Sequence, residues 1–258
     1  MFSVLDMFTI GVGPSSSHTV GPMCAAQAFA SSLEESGAVS RVGRIRVVLY
    51  GSLSLTGLGH GTDRAILAGL EGNVPATVDT DYLLSVRERC AHDGTIHVNG
   101  TNAIAYDDDG DMVFDRWKRL APHPNGMRFQ AFDAQGNIID EQVWYSIGGG
   151  FIRRGRIDDA LISNHEQTPA SSQSPEDSGN DETAEYGDGV PYPFVSCDGL
   201  IDLCRKHHLS IADVVWANET ARRSPQEVRD RLTRIWNVMS HCICLLYTSP
   251  SPRDLSTS

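Results

Sequence analysis

The sequence contains no stretch of about eighteen apolar residues, which excludes a membrane-spanning helix as a reading of any part of it. Its opening, MFSVLDMFTI, lacks the basic start and the small-residue cleavage site of an export signal. A cytoplasmic chain with no membrane partner is therefore expected. The six cysteines, at 24, 90, 197, 204, 242 and 244, include no C-x-x-C pair and show no disulfide-framework spacing. In a reducing cytosol they read as buried thiols rather than bridges. Lys and Arg are missing from 166–188, which carries seven acids and so more than half of the formal charge of -12. The negative balance argues against a nucleic-acid partner, and outside that segment the chain is only mildly acidic.

What is present suffices for a real core. The chain has 258 residues, 40% hydrophobic and 21% charged, enough for one large domain or one domain plus part of another. From 163 to 189 the run SNHEQTPASSQSPEDSGNDETAEYGDG offers almost no aliphatic surface to offset the entropy of ordering it. It reads as a disordered acidic insertion on the surface.

Before that insertion the pattern is mixed α and β. RIRVVLYGSL (44–53) and NIIDEQVWYSIG (137–148) are rich in β-branched and aromatic residues, and shorter strands are expected at 95–98, 103–106, 112–115 and 127–132. Hairpin turns are expected at 107–110 and 134–137, favouring antiparallel pairing over a series of βαβ units. The acids at 107–111 resemble half of a calcium loop but lack the distal Glu, so a turn is the better reading. Helices are expected at 17–33 and 62–71. After the insertion the chain reads as helical: Ser196 or Asp198 opens one helix, Ser210 a second, and Ser224-Pro225-Gln226-Glu227 a third, as a capping box with proline at the first helical position. In this last helix Val228, Leu232, Ile235, Met239 and Cys242 share one face, which needs a partner.

GPSSSHTVGP (13–22) sets hydroxyls and a histidine at a helix start, where unpaired N–H groups and the positive end of the dipole favour a carboxylate or phosphate. One serine simply capping the helix is the plainer alternative. Against it stand the small residues that follow, VGPMCAAQAFA, and a second run of similar character, GLGHGTD (57–63). There His60 lies between glycines, which leave its ring open to a ligand, just before Thr62 and Asp63. APHPNGM (121–127) adds His123 and Asn125; YSIGGGF (145–151) adds Ser146 and Gly148 at the end of a strong strand, where backbone amides can point at a ligand. Taken singly, the first is an ordinary Pro-Asn-Gly turn and the second a glycine loop.

In this order and at these separations, SVLDMFTIGVGPSSSHTVGPM, YGSLSLTGLGHGTDRAILAGL, PHPNGM and WYSIGGGFI resemble the N-terminal half of the single-chain, iron-sulfur-dependent bacterial L-serine ammonia-lyases, or L-serine dehydratases. The resemblance covers roughly 1–162 and 190–243. It implies a β domain of mixed α/β (α+β) type over 1–162, similar to the allosteric substrate-binding domain of some phosphoglycerate dehydrogenases. The acidic insertion (163–189) and the start of a helical catalytic domain (190–243) follow. It also implies conversion of L-serine to pyruvate and ammonia without pyridoxal phosphate, a role in amino-acid degradation and gluconeogenesis, and a homodimer at full length. Ser15, Ser16, Ser17, His18 and Thr19 are then expected against the substrate, with Thr62, Asp63, His123, Asn125, Ser146 and Gly148 as further binding residues; His60 is the candidate base and His18 a second catalytic candidate.

The family's 4Fe-4S cluster sits on three cysteines of the helical domain. Here the sequence departs from the family pattern after Cys242, running into CLLYTSPSPRDLSTS, so 244–258 is expected to be a non-native tail and no metal ligand is assigned in this stretch. Two functions follow as expectations: a truncated lyase lacking its cluster ligands, or a small-anion-binding regulatory module that uses the serine run without chemistry.

Overall fold

The computed structural model describes residues 3–164 and 189–248. The body of the expected acidic insertion and the tail beyond 248 lie outside the described residues. The chain divides into two compact units, Gly11–Ser171, and Met1–Ile10 with Ser172–Ser258.

The first unit runs α1 (Gly21–Glu35), β1 (Arg44–Tyr50), α2 (Ser52–Thr56), α3 (Thr62–Leu70), α4 (Thr80–Asp93), β2 (Thr95–Val98) and β3 (Asn102–Ala105). It continues through α5 (Asp108–Asp111), β4 (Met112–Asp115), β5 (Lys118–Leu120), β6 (Gly126–Phe132), β7 (Ile138–Gly148), β8 (Phe151–Arg154) and β9 (Leu161–Ser163). The main sheet has the order β2-β3-β1-β6-β7-β8, with β4 also paired to β1; β5 and β9 form a small second sheet. β1 is parallel to β3 and β4 and antiparallel to β6, so the expected mixed α/β class is what the chain adopts.

Alternation along β1 explains its place at the centre. Ile45, Val47 and Leu49 join Phe29 and Leu33 of α1, Ile66 and Leu67 of α3, and Met127 and Phe129 of β6 in the main core. Each such side chain taken from water contributes roughly 1.5–3 kcal/mol. Val48 and Tyr50 point the other way and meet Leu120, Val143 and Tyr145, so the end of β1 is covered on both faces, as the unbroken apolar run VVLY requires. The small residues of α1 let α3 approach closely: a Cβ on Gly69 would lie 2.4 Å from the Met23 carbonyl oxygen and 2.9 Å from Ala26 Cβ.

One expected hairpin is corrected. Residues 108–111 form a short helical turn, and β3 and β4 both lie parallel to β1 rather than pairing with each other. The acids turn the chain inward: Asp111 is buried and accepts from Arg44 Nε and from the Asp107 N–H. The other expected hairpin stands, with Asp133 Oδ1 accepting from the Gln135 and Asn137 N–H groups between β6 and β7.

In the second unit α6 (Cys197–His207) is capped by Ser196, α7 (Ile211–Thr220) by Ser210 in a reciprocal box with Asp213, and α8 (Pro225–Thr248) by Ser224, whose hydroxyl accepts from the Glu227 N–H at 3.2 Å. Glu219 of α7 gathers Ser3 Oγ, the Val4 N–H and Arg223, each at 2.8 Å. Of the apolar face expected on α8, Val228 is buried whereas Leu232 and Met239 are 36% and 41% exposed. Among the described residues no helix is long and apolar enough to cross a membrane.

Candidate active site

The serine run enters α1 through a π-helical turn, Ser16–Val20. The Thr19 and Val20 N–H groups both donate to the Ser15 carbonyl, at 2.9 and 3.3 Å, and the Ser15 hydroxyl accepts from the His18 N–H at 3.1 Å. The wider turn is a frequent device at functional sites. It leaves the Ser16 and Ser17 N–H groups in the first turn, where no upstream carbonyl is in helical register. Ser16 is exposed and Ser15 and Ser17 are half-buried, so hydroxyls, free amides and helix dipole together can hold an oxyanion.

His18 and His60 face each other across this turn, with ring centroids 5.0 Å apart and planes tilted by 40°. His18 is held at both nitrogens, Nδ1 by Ser17 Oγ and Nε2 by Ser52 Oγ, each at 2.9 Å. Burial first, and the charge of His60 second, keep His18 below the ordinary imidazole value, partly offset by hydrogen bonding at Ser52. His60 is held at one nitrogen: Nδ1 donates to the Thr56 carbonyl at 2.9 Å, which leaves the lone pair of the neutral ring on Nε2. A Cβ on Gly59 or Gly61 would meet nothing within 4 Å, so the flanks of His60 are open as its glycine neighbours suggest. Gly61, at φ +65°, makes the left-handed step that separates His60 from α3.

The expected motifs close into a circuit. Thr19 Oγ1 donates to the His60 carbonyl at 2.9 Å, and Thr62 Oγ1 donates to the His18 carbonyl. The Ser52 N–H donates to Pro124 O at 2.9 Å. Gly51 is required beside it, since a Cβ there would lie 2.3 Å from Pro124 O at a φ of +56°. Asn125 pairs with Ser146 through main-chain N–H to carbonyl (3.0 Å) and Nδ2 to carbonyl (3.2 Å). Ser146, fully buried, presses its hydroxyl against Gly21 at the start of α1, where a Cβ would come within 2.1 Å of it. Among the described residues that hydroxyl has no hydrogen-bond partner.

Other expected site residues serve the frame. Asp63 is buried and ion-paired through Oδ2 with Arg87, which also grips Asp108 at 2.8 Å; among the described residues its Oδ1 has no hydrogen-bond partner. His123 Nδ1 accepts from the Asn125 N–H at 3.1 Å, and burial, with Arg153 nearby, lowers its basicity. Gly148, at φ +99°, begins the turn between β7 and β8. Ser52 and Arg87 escaped the sequence reading. The Gly51-Ser52 step was the available signal for the first, and nothing local marks the second.

The cysteines do not assemble into a cluster's ligand set. Cys24 and Cys90 lie in α1 and α4, where burial pushes both thiols up, Cys90 to about 11. Cys197 and Cys204 lie on α6, and Cys242 and Cys244 on α8. Among the described residues no three His, Cys, Asp or Glu side chains come together to hold a metal.

Comparison with known proteins gives the family. Residues 3–156 match the family model described as serine dehydratase beta chain. The chain is similar to an L-serine dehydratase of Streptomyces coelicolor, 41% identical over 241 residues that cover 93% of this chain and 49% of the relative. It is likewise similar to L-serine dehydratase 1 of Escherichia coli (38% over 247 residues; 94% and 48%) and to an L-serine dehydratase of Haemophilus influenzae (34% over 244; 94% and 49%). The chain spans about half the length of the curated relatives it matches. With the family model matched across most of the unit that carries the histidine pair, this chain belongs to the serine dehydratase beta chain family.

Proposed function

We propose that this chain supplies the substrate-binding and proton-abstracting part of an L-serine dehydratase, which converts L-serine to pyruvate and ammonia. The observation that carries the reading is the His18–His60 pair set against a serine-lined helix start; the names of the relatives supply the substrate.

The hydroxyls of Ser15, Ser16 and Ser17 and the amides of the first turn hold the α-carboxylate. His60 Nε2 takes the Cα proton, and the electron pair left behind forms the Cα=Cβ bond as the β-hydroxyl departs. The proton that His60 gains balances the one the leaving hydroxide needs to become water. Aminoacrylate tautomerises to an imine, which hydrolyses to pyruvate and ammonia. His18, fixed by Ser17 and Ser52, orients the pocket side of this reaction. The family's 4Fe-4S cluster does not fit the described cysteines, so the part assigned to this chain is binding and proton transfer. A cytoplasmic homodimer acting in amino-acid degradation rests on the resemblance alone.

The test is a hybrid in which residues 1–243 replace the aligned half of the Streptomyces coelicolor enzyme. Pyruvate from L-serine is the expected result. A folded hybrid with full iron content and no pyruvate would overturn the reading, and L-serine binding without turnover in that hybrid would favour the anion-binding module.

A further inference from the structure

We propose that Thr19 and Thr62 are positioning residues that clasp the two histidine turns together, each hydroxyl donating to the carbonyl of the histidine on the opposite turn. The proposal rests on the histidine pair being the reactive site.

The two halves are built alike. Thr19 follows His18 and bonds His60 O; Thr62 follows His60 and Gly61 and bonds His18 O. Both side chains are sealed from solvent, at 1% and 0% exposure, with their hydroxyl protons already committed, which leaves neither free to touch a substrate. Each is seated on a glycine. A Cβ on Gly13 would lie 2.5 Å from Thr19 Cγ2, and one on Gly57 would lie 2.9 Å from Thr62 Oγ1. Pro22 has no N–H to offer the His18 carbonyl in α-helical register, and the Thr62 hydroxyl donates to that carbonyl. Since Asp63, the acid next to Thr62, is committed to Arg87, the charged neighbour that acts on His18 is His60. The clasp therefore fixes the 5.0 Å ring separation, and with it the part that His60 plays, after burial, in holding His18 below the ordinary imidazole value.

Histidine-labelled NMR of the 258-residue chain tests this without turnover. Wild type should show nuclear Overhauser contact between the His18 and His60 rings and a His18 that titrates below the ordinary imidazole value. Thr62→Val and Thr19→Val should each lose the inter-ring contact and shift the His18 titration upward; Thr62→Ser, which keeps the hydroxyl, should retain both signals. Valine variants with wild-type contact and titration would overturn the clasp. So would a folded Thr62→Ser that loses them, and this arm decides the matter if the valine variants do not fold. Because no step reads catalysis, an inactive hybrid with an intact clasp would sink the proposed function alone.

Discussion

The turns that carry His18 and His60 belong to one site and are built in opposite ways. The first is a wide π turn, rich in hydroxyls, that leads into a long buried helix and holds its ring at both nitrogens. The second is a tight 3-10 turn, Gly57–His60, bare on both flanks, that holds its ring at one nitrogen. A ring fixed at both ends can orient and polarise; a ring fixed at one end keeps a lone pair for a proton. On the proposed function, this difference divides labour between two residues of the same type.

The strongest test of that division is His60→Ala in the hybrid enzyme. It should lower kcat by about two to four orders of magnitude, with KM and iron content nearly unchanged. Turnover per intact cluster at the hybrid's own level would remove His60 as the base and shift suspicion to His18. Ser17→Ala should act on the binding side. Losing a hydrogen bond to a charged carboxylate costs about 1.5–3 kcal/mol, so KM should rise by roughly ten- to a hundredfold. A fall confined to kcat would show instead that Ser17 matters chiefly through His18.

Two glycines sharpen the contrast between a packed and an open turn. Gly51→Ala forces a Cβ against the Pro124 carbonyl and should lower stability by roughly 1–3 kcal/mol, measured by urea denaturation. Gly59→Ala meets nothing and should stay within about 0.5 kcal/mol. Equal losses at both positions would mean that the His60 turn is not open. The smallest effect is on pH dependence. His18 and His123 are both held below the ordinary value of 6.5, so the folded state favours their neutral forms. That contribution is complete above 6.5 and is lost as pH falls through the lowered values. His18→Gln should flatten the acid limb of the stability profile, and an unchanged limb would count against its burial.

Much of the frame was legible because its signals are local. The strands at 95–98 and 112–115 stand where alternation places them, and β6, β7, α1 and α3 fall within a few residues of expectation. α4 was not legible. Its buried face is only Leu83, Val86 and Cys90 among charged neighbours, too thin a stripe to read before the sheet supplies its partner. β5, β8 and β9 are only three or four residues long, and among them Leu120 alone is buried, so no hydrophobic period marks them. The hairpin misread at 107–110 shows the same limit, because the Arg44–Asp111 pair that bends the chain joins residues far apart in sequence. Within the site, glycines and hydroxyls announced the motifs. What they could not announce was that Thr19 and Thr62 hydrogen-bond to the carbonyls of the opposite histidines and that Asp63 pairs with Arg87.

The circuit of contacts also bears on when the site comes into being. Its last link, Ser146 against Gly21, joins the end of β7 to the start of α1 and cannot close before β1, β6 and β7 have paired. Loop-closure entropy for so distant a contact is met late, after the sheet has formed. A refolding chain should therefore regain its strand signal before the contact of the His18 and His60 rings, and the serine run excised as a peptide should not bind the carboxylate proposed for it.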